Sequence, residues 1–210
     1  MIKNRRAFVV GLKSSTLSNK EITFLKKYKP WGIILFSRNI NSIKQTKNLT
    51  DHIKRIFKDK NYPIMIDEEG GKVSRLTKII DTSLFSQKLF GEMYIKDNKR
   101  FNLYFVTYVK QLSYVLTLLG ININTVPVLD VIRKFSSRVL KHRCYSSNPK
   151  IVSKLGNLCI ETFNKYGIAT VIKHIPGHGP SRKDSHFEVP IVNDKISKLK
   201  KIDFFPFKKK

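Results

Sequence analysis

The 210-residue sequence predicts an α/β fold built on a parallel sheet. Short apolar runs rich in Val, Ile and Phe alternate with longer stretches of helical period, the pattern of repeated strand–helix units. Polar residues also gather where those apolar runs end: Arg38-Asn39, Asp67-Glu68-Glu69, Asp130 and Lys173-His174. That is the side on which parallel α/β folds build their sites, because the loops leaving the strands converge there. Hydrophobic residues make up 41% of the chain, enough for a packed core. No repeat, low-complexity linker or composition break divides it, so residues 1–210 read as a single domain.

The first strand is expected in AFVVGL, residues 7 to 12, and Ser18 then precedes a helical stretch holding Ile22, Phe24 and Leu25. Trp31-Gly32 opens the second strand, GIILF, residues 32 to 36. After Asn41-Ser42 a helix carries Ile43, Leu49, Ile53 and Ile56 on one side, and Tyr62-Pro63 ends it and starts the strand IMID, residues 64 to 67. A long helix from 97 to 119 is expected to bury Leu103, Phe105, Val109, Leu112, Leu116 and Leu119, with Gly120 closing it as a C′ glycine. A strand in ININTVPVLDV, residues 121 to 131, ends at Asp130. Residues 151 to 166 form the next helix, terminated by Gly167, and IATVIKHI, residues 168 to 175, the next strand.

Forty-one Lys and Arg against 15 Asp and Glu give a formal net charge of +26, a field that attracts polyanions whatever their sequence. The lysines are scattered through nearly every segment, and only Lys208, Lys209 and Lys210 cluster tightly. With no arginine-rich helix and no basic stripe interleaved with stacking aromatics, a solvated basic surface is expected and a nucleic-acid partner is not. Cys144 and Cys159 are too few for a disulfide framework and lack metal-ligand spacing, which fits free thiols in a reducing compartment. The apolar run after MIKNRR is too short for a signal sequence, and no stretch approaches membrane-spanning length. A soluble cytoplasmic protein with no membrane partner is the expectation. The sequon Asn48-Leu49-Thr50 carries no weight without a secretory route.

KHIPGHGPSRKDSH, residues 173 to 186, holds three histidines. A His-x-x-x-His pair makes a metal face only on a helix, and Pro176, Gly177 and Gly179 would break one. No metal and no cofactor are expected, and the glycines are read as a sharp turn that lets the backbone approach a ligand. Asp184 and His186 stand two apart, so in extended chain they share a side, and the carboxylate can fix one imidazole tautomer while the other nitrogen trades a proton. On spacing alone, a casual surface pair is the commoner meaning of Asp-x-His. DEEGGKVSR, residues 67 to 75, poses a similar choice. Either Asp67 faces a polyol while Gly70-Gly71 turns the backbone away, with Arg75 just beyond, or the segment is a turn with a charged rim. Its glycine spacing is neither a dinucleotide fingerprint nor a Walker loop.

Together with GIILFSRN (32 to 39), PIMIDEEGGKVSRL (63 to 76) and GININTVPVLDV (120 to 131), that long motif resembles the bacterial β-N-acetylhexosaminidases of glycoside hydrolase family 3. These trim N-acetylglucosamine from cell-wall fragments during peptidoglycan recycling. The resemblance covers almost the whole chain and implies a TIM (β/α)8-type barrel, incomplete here, with about the first five strands present, against about 250 residues for the whole fold. It implies His186 as acid/base, Asp184 as the aspartate that orients it, and Asp67, Arg75, Arg143, Lys173 and His174 as sugar-binding residues. Tyr145 matches the usual aromatic after Arg143, with Cys144 between them. Pro180, Ser181 and Lys72 depart from the family's acidic residue, threonine and arginine.

The implied reaction is retaining hydrolysis of terminal non-reducing N-acetylglucosamine, with muropeptides or disaccharides as partners and a monomer when complete. The family's nucleophilic aspartate is expected beyond Lys210, since DFFPF, residues 203 to 207, matches the segment opening the next helix. The 210-residue chain is therefore expected to be inactive alone. A non-catalytic sugar-binding fragment and a family 3 β-N-acetylglucosaminide phosphorylase are the alternatives.

Overall fold

The computed structural model describes residues 4–183 and 187–208. Five parallel strands, β1 (Arg6–Gly11), β2 (Pro30–Leu35), β3 (Ile64–Ile66), β4 (Ile123–Asn124) and β5 (Ala169–Thr170), lie side by side in chain order. Ile33 faces Ile64, Met65 faces Ile123, and Ile123 faces Ala169 across the ladders. The crossovers carry α1 (Asn19–Tyr28), α2 (Ile43–Ile56), α3 (Gln87–Lys96) with α4 (Asn98–Leu118), and α5 (Pro149–Lys165), and α6 (Ile196–Lys201) follows β5. Sequential parallel strands joined by helices make the TIM-barrel-like arrangement. Here the sheet is an open arc of five strands, with β1 and β5 as its edges.

Local chemistry explains the helix ends. Ser18 and Glu21 form a reciprocal capping box ahead of α1, and Ser42 caps α2 by accepting from the Gln45 amide. α4 is capped by Asp97 and turns Phe101, Phe105, Val109, Leu112 and Leu116 into the core. Leu103, expected inside, is 67% exposed: it lies two residues from Phe105, about 200° around the helix. Gly120 ends α4 at φ +73°, where the amide of Ile121 reaches the carbonyl of Leu116 at 2.9 Å. A Cβ there would come within 2.4 Å of the Thr50 hydroxyl, so the position requires glycine twice over.

Two expected strands are shorter than their apolar runs. After Asn124 the chain leaves the ladder, passes a cis Val126–Pro127 bond, and rejoins only where Val128 bridges Lys173. Pro127 has no N–H to give a neighbouring strand, so an unbroken strand to Asp130 cannot form. The helix α3 is not among the elements expected from the sequence. Gly91 is a packing position: a Cβ would sit 1.8 Å from the Tyr145 carbonyl. Among the described residues, no helix is long and apolar enough to cross a membrane.

Candidate functional site

At the C-terminal ends of β3, β4 and β5 a cleft of about 740 Å³ opens, lined by Asp67, Glu69, Arg75, Arg143, Lys173 and His174. The chain leaving β3 sorts its acids by side: Asp67 and Glu69 border the cleft, and Glu68 turns behind it. Asp67 accepts from the Thr125 hydroxyl and, at 3.2 Å, from Lys173 Nζ, while Arg75 Nη2 stands 3.9 Å from its other oxygen. The Arg75 guanidinium also lies 6.0 Å from the centroid of the Phe36 ring. Lys173 reaches Glu69 Oε1 at 2.6 Å, and Arg143 grips both oxygens of Glu69 at 2.8 and 2.9 Å. One carboxylate therefore holds cations from two different loops.

His174 is fixed from both sides. Its Nδ1 lies 2.6 Å from Asp130 Oδ2 and its Nε2 lies 3.2 Å from Arg143 Nη2. A guanidinium can only donate, so Nε2 accepts and the ring proton sits on Nδ1, facing the fully buried Asp130 carboxylate. Asp130 Oδ1 also accepts the backbone N–H of His178 at 2.6 Å, tying down the turn that follows. Gln87, at the start of α3, donates to the carbonyls of Val128 and Arg143 and accepts from the Val128 amide, which anchors the Arg143 loop to the sheet.

The electrostatics follow from these partners. Burial alone would raise the Asp67 carboxyl, but the Lys173 ammonium, the Thr125 hydroxyl and Arg75 outweigh it and hold the group below the usual carboxylate range. Glu69 behaves alike: burial opposes ionisation, and Arg143 with Lys173 overcomes it. Glu68 is the opposite case. Burial pushes its carboxyl up despite bonds from the Thr82 and Ser74 hydroxyls and the amides of Arg75 and Leu76, all neutral donors.

All five expected binding residues, Asp67, Arg75, Arg143, Lys173 and His174, thus border one cleft. Asp184 and His186, the expected acid/base pair, lie outside the described residues. The turn is sharp as expected, with Gly177 at φ +122°. A Cβ on Gly179 would sit 2.1 Å from the Val131 carbonyl and one on Gly177 would sit 2.9 Å from Asp203 Cβ, so the turn packs against its own chain. Sequence reasoning missed Glu69, Thr125 and Gln87. The signal for Glu69 was the strand alternation itself, which continued past Ile66 puts residues 67 and 69 on one side.

The model of the glycosyl hydrolase family 3 N terminal domain matches residues 8–210. The chain belongs to this family. The family 3 chain is 33% identical over 202 residues to a beta-hexosaminidase of Hydrogenovibrio crunogenus, covering 96% of itself and 56% of that relative. It superposes on native NagZ from Neisseria gonorrhoeae with a TM-score of 0.86 at 28% identity, covering 97% of itself and 58% of that chain. The same enzyme in complex with N-trifluoroacetyl-D-glucosamine gives 0.82 at 28% identity, with 97% and 59% covered. The family 3 chain thus spans a little over half the length of these relatives.

Proposed function

We propose that the cleft holds the terminal N-acetylglucosamine of a glycan in a retaining β-N-acetylhexosaminidase. The observation that carries this reading is convergence: five expected sugar contacts, from segments as much as 106 residues apart, border one cleft of paired cations and carboxylates. Asp67 can accept from sugar hydroxyls, and Arg75, Arg143 and Lys173 can donate to ring, hydroxyl and acetamido oxygens. Because these groups already hold one another in place, binding energy goes into orienting the sugar rather than ordering the site.

In the proposed reaction a carboxylate attacks the anomeric carbon while the His186 imidazole, oriented by Asp184, protonates the departing oxygen. The same imidazole then takes a proton from water as the glycosyl ester is hydrolysed. Asp67, Glu69 and Asp130 are each committed to a cation or to His174, so none of them is assigned as nucleophile. We place that group in the part of the relatives' length that this chain does not span. Peptidoglycan-derived muropeptides or disaccharides, processed in the cytoplasm, are the proposed substrates.

Calorimetry tests the binding half of the proposal. The 210-residue chain is expected to bind N-acetylglucosamine and to lose that binding on Arg143→Met, and absence of binding by the unmodified chain would overturn the sugar site. A chromogenic N-acetylglucosaminide tests the other half: no turnover is expected from the same chain, and turnover abolished by His186→Ala would overturn the placing of the nucleophile.

A further inference from the structure

The chain carries a formal charge of +26, yet its cleft is electrically balanced. Among the described residues, Asp67 and Glu69 line it with three cations, Arg75, Arg143 and Lys173, and a third carboxylate, the fully buried Asp130, stands behind His174. Three of only 15 acidic residues in the sequence are thus concentrated in one place. Glu69 dominates that balance. Its side chain is 2% exposed, and among the described residues it is the one acid that pairs with both Arg143 and Lys173. Without it Lys173 would keep only Asp67, and Arg143 only the more distant Asp130, as acidic neighbours facing the cleft.

We propose that Glu69 is a specificity-determining residue, whose carboxylate, shared by Arg143 and Lys173, offsets much of their charge and so biases the cleft toward an uncharged sugar over sugars bearing a phosphate or carboxylate. The inference rests on the sugar-binding reading above and adds to it a basis for rejection. A cleft with two uncompensated cations would draw anionic sugars by the field that the rest of the surface already provides. A fixed negative charge between them weakens that attraction and makes an incoming anion compete with Glu69 for both cations. Lys173 and Arg143 then act as oriented hydrogen-bond donors rather than as an anion trap.

The test is calorimetric titration of the 210-residue chain with N-acetylglucosamine and with N-acetylglucosamine 6-phosphate, at low and high salt. The unmodified chain is expected to prefer the neutral sugar. In Glu69→Gln the ratio of phosphate-sugar to neutral-sugar affinity should rise at least about tenfold at low salt and fall back as salt is added. Glu69→Asp, which keeps the charge, should hold the original ratio. A folded Glu69→Gln chain, verified by circular dichroism, with an unchanged ratio overturns the inference. So does an unmodified chain that binds the 6-phosphate as tightly as the neutral sugar, a result that needs no variant to fold. Failure of the unmodified chain to bind N-acetylglucosamine at all instead removes the sugar-binding reading on which the inference stands.

Discussion

Glu68 and Glu69 are neighbours in sequence and both are buried, yet one carboxyl is pushed up and the other held down. Glu69 looks into the cleft and meets a guanidinium and an ammonium. Glu68 looks into the arch of residues 74 to 82 and meets two hydroxyls and two backbone amides. Burial is common to both, so the charge of the partners decides the direction. The arch is held by an acid that resists ionisation, and the cleft by one that requires it.

That contrast is broken most severely from the cleft side. Arg143→Met strands the Glu69 carboxylate with Lys173 alone, and a loss of about 3 kcal/mol is expected in urea unfolding. On the arch side, Thr82→Val removes the one donor to Glu68 Oε1 and should cost about 1–2 kcal/mol, measured the same way. A larger loss for Thr82→Val than for Arg143→Met would contradict the comparison.

Smaller effects appear in pH, with opposite signs. The stability that Glu69 contributes is present above its ordinary value of 4.5 and is lost as pH falls through its depressed folded value. Glu68 is raised, so its contribution is present below 4.5 and is lost as pH climbs toward its folded value. In unfolding series from about pH 3 to pH 8, Glu68→Gln should remove a decline on the alkaline side of 4.5, and Glu69→Gln a decline on the acid side. Finding both variants altered on the same side would end the comparison. Near pH 4.5 itself, Glu68→Gln is expected to cost no more than about 1 kcal/mol, because the amide keeps an acceptor for the Arg75 and Leu76 N–H groups.

The sequence shows the strand–helix alternation clearly because each apolar run is bounded by a cap or a breaker, as at Ser18, Ser42 and Gly120. It shows the strand lengths poorly. The run from Ile121 to Val131 is buried almost throughout, so apolarity marks burial there while Pro127 decides where the ladder stops. The five cleft residues Asp67, Arg75, Arg143, Lys173 and His174 were legible through the family resemblance, and Asp130 through its place at the end of an apolar run. Glu69 and Gln87 were not, because their work is done for other side chains: one joins Arg143 to Lys173, the other ties the Arg143 loop to Val128. Such roles depend on which distant segments meet, and the alternation that sets residues 67 and 69 on one side does not name their partners.

The strand order has a consequence in time. Each ladder joins strands that are consecutive in the chain, so a polypeptide emerging from its N-terminus can add β2 to β1, β3 to β2 and β4 to β3 as synthesis proceeds. The cleft does not grow that way. Lys173 meets Asp67 across 106 residues, and Arg143 meets Glu69 across 74. Until β5 docks, Asp67 and Glu69 lack Lys173; its arrival completes both the β4–β5 ladder and the cleft.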